Sequence, residues 1–147
     1  MKEVTIYTDG SCHGNPGPGG WGSVLIYKNH TQELSGGCRN TTNNQMELTA
    51  VIEAVKLLKE PCSVTIYTDS QYVVNAINNK WIDKWFQENF RTNCGERANT
   101  NLWRELIKVT APHSCKFVWV RGHNGDKYNE MCDRLANEAC KMCEYGG

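Results

Sequence analysis

The sequence predicts an α/β protein with parallel strands at its centre, and three observations carry this. Thr5-Ile6-Tyr7-Thr8-Asp9 recurs as Thr65-Ile66-Tyr67-Thr68-Asp69, and Thr, Ile and Tyr favour a pleated, largely buried strand. Between the copies, Leu48, Val51, Ile52, Val55 and Leu58 form an apolar stripe at helical spacing, closed by Pro61. Residues 42–61 are long enough to supply the right-handed crossover that joins parallel strands. Side by side, the two strands would hold Asp9 and Asp69 together at their carboxyl ends, the edge where open α/β sheets bind ligands. Paired like charges there need something positive between them. A divalent metal meets that need, with further ligands from later segments.

The elements follow in order. Residues 1–42 read as three strands: the Asp9 strand, Trp21 to Tyr27, and Glu33 to Arg39, with a turn around Asn29-His30. The run from Gly10 to Gly20 reads as a glycine-rich loop. It leads into a strand and contains two prolines, whereas nucleotide-binding loops lead into a helix, so it suits close backbone approach by a substrate instead. Thr41 to Glu47 opens the first helix. Thr42 to Gln45 and Asn44 to Glu47 both fit a capping box, so a capping role and a ligand role for Glu47 are both open. Asp69 and Ser70 precede a short helix that either could cap. Lys80 to Phe90 continues helically, with Trp81 and Trp85 on one face, the composition of a core stripe or of a nucleic-acid groove. Residues 91–100 read as a polar loop, Asn101 to Val109 as a helix, and Lys116 to Arg121 as the fifth strand. His123 stands in a loop between Gly122 and Gly125, where a side chain titrating near neutrality suits a proton carrier. In the last helix Asp133 lies at the border of the apolar stripe.

At 147 residues the chain has the length of one domain, 1–147, with an ordinary core. Its 39% apolar and 22% charged residues fit a soluble globular protein. No apolar run reaches membrane-span length and the first strand starts almost at Met1, so the expected address is the cytoplasm. Of eight cysteines only Cys140 and Cys143 form a C-x-x-C pair, which argues for reduced, structural thiols rather than zinc or disulfides. The formal net charge is zero, from 16 basic and 16 acidic residues. Four acids committed to cations would leave twelve against sixteen bases, so a polyanionic substrate is not excluded.

With Asp9, Glu47, Asp69, His123 and Asp133 assembled, the chain resembles bacterial ribonuclease HI, of the type 1 ribonuclease H family. The resemblance rests on Thr8-Asp-Gly-Ser-Cys12, Gly14-Asn-Pro-Gly-Pro-Gly-Gly20, Thr41-Thr-Asn-Asn-Gln-Met-Glu-Leu48, Thr68-Asp-Ser-Gln-Tyr72, Trp81-Ile-Asp-Lys-Trp85, Gly122-His123 and Asn129 to Ala136. It implies a five-stranded mixed sheet of order 3-2-1-4-5 with helices on both faces. It also implies hydrolysis of the RNA strand of RNA–DNA hybrids to 5′-phosphate and 3′-hydroxyl ends by a monomer. Asp9, Glu47, Asp69 and Asp133 would hold two Mg²⁺, with Mn²⁺ able to substitute, and His123 would move protons or aid product release. The Cys12 backbone, Asn15, Asn43, Asn44, Glu47 and Gln71 would sense the 2′-hydroxyl of RNA. Thr42, Asn43 and Asn99 would grip a DNA phosphate, and Trp81 and Trp85 the DNA sugars. Two departures stand out: residues 81–100 balance Lys84, Arg91 and Arg97 against Asp83, Glu88 and Glu96 where many relatives are strongly basic, and Asn40 occupies a place that is often arginine. Another nuclease of the same fold and a non-catalytic hybrid-binding module are the alternatives.

Overall fold

The computed structural model describes residues 1–92, 95–96, 98–122 and 126–145. The strands are β1 (Lys2–Cys12), β2 (Gly17–Tyr27), β3 (His30–Thr41), β4 (Cys62–Thr68), the two-residue β5 (Arg91–Thr92) and β6 (Gly95–Glu96), and β7 (Ser114–Trp119). The helices are α1 (Asn43–Lys56), α2 (Gln71–Asn78), α3 (Trp81–Gln87), α4 (Thr100–Thr110) and α5 (Lys127–Tyr145). The main sheet runs β3-β2-β1-β4-β7. Leaving aside the small β5–β6 hairpin, this is the expected 3-2-1-4-5 order. β1 pairs antiparallel with β2 and parallel with β4, and β7 is parallel to β4. The repeated pentapeptides face each other copy to copy, Thr5 opposite Thr65 through Thr8 opposite Thr68. Tyr7 and Tyr67 stack at 4.9 Å as a result.

Helices cover both faces of the sheet. Successive strand residues point to opposite sides: Gly22 of β2 lies against Cys132 of α5, while the Ser23 hydroxyl donates to Ala50 O of α1 at 2.7 Å. The core is built from Ile6, Val64 and Ile66 of the sheet with Leu48, Val51, Ile52 and Val55 of α1, extended by Phe90, Trp103 and Leu106. Ile66, on the central parallel pair, has no exposed surface. Ile66→Ala is expected to lower the unfolding free energy by about 2–5 kcal/mol in urea titration. A loss below about 1 kcal/mol would mean the sheet centre is not close-packed.

The structure moves several predicted boundaries. The run from Gly10 to Gly20 is mostly strand, since β1 continues to Cys12 and β2 begins at Gly17, leaving residues 13–16 as the connection. Its glycines make room for a helix: a Cβ on Gly20 would stand 2.5 Å from Cys140 N, and one on Gly22 2.6 Å from Cys132 O. Glycine here lets α5 lie on β2. α3 is shorter than the predicted 80–90 helix, bounded by left-handed Lys80 before it and by Asn89 and Phe90 after it. The polar loop 91–100 carries the β5–β6 hairpin. Cys62, Cys132 and Cys140 are buried thiols in the packing. Among the described residues no helix is long and apolar enough to cross a membrane.

Candidate active site

Asp9 projects from β1 one residue beyond the last pairing with β4, and Asp69 follows the end of β4 directly. Parallel pairing in matched register therefore delivers both carboxylates to the same edge. Glu47 arrives from α1. The helix starts at Thr42, whose hydroxyl accepts from Gln45 N at 3.2 Å, so Glu47 sits in the second turn and is not the capping acid. Likewise Ser70, not Asp69, caps α2, accepting from Val73 N. Both capping explanations for the acids are thereby removed.

Gly10 sets the distance between β1 and α1. A Cβ there would lie 2.6 Å from Glu47 N and 2.8 Å from Met46 C, both main-chain atoms. Only glycine admits this approach, which seats Glu47 beside Asp9. Asp9, Glu47 and Asp69 each offer an oxygen within 4.8 Å of the others. Asp133 of α5 lies within hydrogen-bonding reach of Asp9 and shares with the three a polar, open cleft of about 430 Å³.

The environment opposes the charges it gathers. Asp9 is 6% exposed and Glu47 8%. Burial first, then the Asp69 and Asp133 charges, push the Asp9 carboxyl up to about 8, although the Gly10 N–H donates to its Oδ1 at 2.9 Å. Burial and the charges of Asp9 and Asp69 raise Glu47 well above the carboxylate range. Glu47 Oε2 is buried without a hydrogen-bond partner. Clustered hard oxygen donors with one orphaned oxygen fit a divalent cation, which replaces the missing partner and cancels the repulsion.

Asp9 titrates near 3.9 when unfolded and near 8 when folded without metal. A raised folded value means the native state holds the proton more tightly, so its stabilising contribution is full below about pH 4 and is lost as pH rises through about 8. Metal-free protein is expected to be weaker by about 2 kcal/mol or more at pH 8.5 than at pH 5.5 in urea titration with chelator, and Mg²⁺ should restore the difference. Equal stability at the two pH values would contradict the placement of Asp9.

The remaining predicted residues divide. Asn43, Asn44, Gln71 and Cys12 line the cleft with the acids. Asn15 Oδ1 accepts from Asn43 N at 2.9 Å, tying the 13–16 connection to the start of α1. Asn99, left-handed before α4, donates through Nδ2 to Tyr72 Oη at 3.1 Å and accepts from Gln45 Nε2 at 3.4 Å. Trp81 is 46% exposed, whereas Trp85 packs edge-on against Trp103 at 5.5 Å. His123 lies outside the described residues. Gly122 before it lies against Asp69, where a Cβ would be 2.7 Å from Oδ2.

Sequence reading passed over three residues here. The Trp119 indole N–H donates to Asp69 O at 3.1 Å. Asn137 Nδ2 donates to Asp133 Oδ1 at 3.2 Å, and the Ser11 hydroxyl donates to Asn137 Oδ1 at 2.9 Å. The i, i+4 spacing of Asp133 and Asn137 was the available signal; nothing in the sequence marks Ser11 or Trp119.

A mixed sheet with acids converging at the carboxyl ends of two parallel strands, beside an open polar cleft, defines an α/β protein whose acidic site is compatible with a divalent cation. Residues 1–141 match the family described as RNase H. The Ribonuclease H of Caldicellulosiruptor saccharolyticus is 54% identical over 142 residues, spanning 96% of this chain and 98% of its own. That of Chlorobium luteolum is 52% identical over 140 residues, spanning 95% and 96%. LC9-RNase H1, a type 1 RNase H with the type 2 active-site motif, matches with a TM-score of 0.87 at 32% identity, over 96% of this chain and 73% of that one. LC11-RNase H1, solved in complex with an RNA/DNA hybrid, shares the fold at a TM-score of 0.72 and 24% identity, over 96% and 99%. The chain belongs to the ribonuclease H family.

Proposed function

We propose that residues 1–147 form a single ribonuclease H domain, a cytoplasmic monomer. It cleaves the RNA strand of RNA–DNA hybrids endonucleolytically, leaving 5′-phosphate and 3′-hydroxyl ends. The observation that carries this is the convergence of Asp9, Glu47 and Asp69 with an orphaned Glu47 oxygen, in a chain so similar to proteins named Ribonuclease H. Asp9, Glu47, Asp69 and Asp133 would hold two Mg²⁺, or Mn²⁺ in their place. Two such ions supply an activated water and neutralise the leaving oxygen of an in-line displacement.

The protein's own part is to position the substrate and to handle protons. Asn43, Asn44 and Gln71 stand beside the acids, where their amides can both donate to and accept from a 2′-hydroxyl, with the Cys12 backbone and Asn15 completing that contact. Thr42, Asn43 and Asn99 would hold a DNA phosphate, and Trp81 with Trp85 the neighbouring sugars. His123 would carry protons or assist product release. Contacts to phosphate and sugar rather than to base edges make cleavage nearly indifferent to sequence.

Because residues 81–100 carry no net charge, hybrid affinity is expected to fall less steeply with salt than in relatives with a basic segment there. Binding measured across a salt series should show the smaller slope, and equal slopes would contradict it. The function itself is tested by offering a labelled hybrid, a DNA duplex and an RNA duplex with Mg²⁺. Cleavage confined to the RNA strand of the hybrid is expected. Cutting of duplex DNA would favour another nuclease of this fold, and binding without cleavage a hybrid-binding module.

A further inference from the structure

The structure assigns Asn137 as the residue that positions Asp133 for the metal, with Ser11 fixing the orientation of Asn137; this rests on the reading of Asp133 as a metal ligand. Asp133 is the one acid of the four carried late in the chain, on α5, and it has to be held beside Asp9 of β1 against like-charge repulsion. Asn137 is one turn further along the same helix, and its Nδ2 donates to Asp133 Oδ1 at 3.2 Å. Its Oδ1 accepts from the Ser11 hydroxyl at 2.9 Å.

The direction of this relay follows from its contacts. Asn137 turns its NH₂ to Asp133 Oδ1. The amide carbonyl then faces Ser11, and the hydroxyl is left only the role of donor. Ser11 is two residues from Asp9 on β1, hence on the same side of the strand. The relay therefore ties the helix-borne acid to the strand that bears its neighbour, across 126 positions of sequence. An Asp–Asn pair within one helix is an ordinary surface feature. The Ser11 contact makes this pair a tertiary link, and both ends of it, Ser11 and Asp133, line the acidic cleft. A neutral amide also suits the place: it holds the carboxylate oxygen without bringing a positive charge that would compete with a cation, as a lysine or arginine would. Partners of this kind behind a metal ligand commonly change metal affinity by an order of magnitude.

The test is calorimetric titration of Mn²⁺ into the full chain, paired with the Mg²⁺ dependence of hybrid cleavage. Asn137→Ala is expected to weaken Mn²⁺ binding about tenfold and to raise the half-saturating Mg²⁺ concentration by a similar factor, with most of the rate recovered at saturating Mg²⁺. Ser11→Ala should weaken Mn²⁺ binding about threefold in the native background and have no further effect beside Asn137→Ala. If Asn137→Ala does not fold, Ser11→Ala alone carries the comparison. Native Mn²⁺ affinity in the folded variants, or strictly additive effects, would overturn the assignment. Asp133→Asn separates the ligand role of Asp133 from the positioning role of Asn137. If it leaves Mn²⁺ binding intact, Asp133 is not a ligand and the underlying reading fails; if it weakens binding while Ser11→Ala and Asn137→Ala do not, only the positioning role fails.

Discussion

Replacing Asp9 with asparagine is expected to reduce hybrid cleavage by about three orders of magnitude or more, ~4 kcal/mol of transition-state stabilisation. Hybrid binding should be retained, because the lost negative charge only weakens repulsion of the phosphates. The same substitution should make the metal-free protein more stable at pH 8. The Asp9 carboxyl is buried beside Glu47 and titrates near 8, so above that pH the native state carries a charge that an amide removes. The difference of about four between the folded and unfolded values sets a ceiling of ~5 kcal/mol, and relief shared with Glu47 and Asp69 makes about 2 kcal/mol the expected gain. Loss of activity combined with gain of stability is the signature of a functional cluster held against its own repulsion. Native-like cleavage by this variant in an assay at saturating Mg²⁺ would remove Asp9 from the site.

Gly10→Ala should also be damaging, although alanine adds only one methyl group. The added carbon would meet main-chain atoms of Met46 and Glu47 at 2.6–2.8 Å, and main chain inside a packed helix cannot rotate away as a side-chain tip can. The first turns of α1 have to move off β1, carrying Glu47 away from Asp9. A displacement near 1 Å in a catalytic constellation is worth about 100-fold in rate, and overpacking of this kind costs about 1–3 kcal/mol in stability. Steady-state cleavage together with urea titration would register both. An active variant with unchanged stability would show that the close approach of α1 to β1 is not what sets Glu47 in place.

The centre of the fold was legible because its signal is local and repeated. Two identical pentapeptides with a helical stripe between them specify parallel neighbours, and the structure sets the first four residues of one opposite their own copies in the other. Asp9 and Asp69 followed from that alone. Glu47 was not decidable from spacing, since two overlapping capping patterns competed for the start of α1. Only the Thr42 cap, two residues ahead of the alternative start at Asn44, settles it. The glycines from Gly10 to Gly20 were misread as one loop because their cause is tertiary: α1 presses on Gly10 and α5 on Gly20. The link between Ser11 and Asn137 was invisible for the same reason, being made only when α5 lies across the sheet. Trp81 and Trp85, alike by sequence, part company in the structure, one exposed and one packed on Trp103.

The most direct measurement is calorimetric titration of Mg²⁺ or Mn²⁺ at pH 7 in buffers of different ionisation enthalpy, which reads metal binding and proton release together. The expected result is saturable binding that expels the proton Asp9 holds at that pH in the metal-free protein, with proton release diminished in Asp9→Asn. Absence of binding, or binding that releases no protons and is untouched by Asp9→Asn, would contradict a cation site built from these acids.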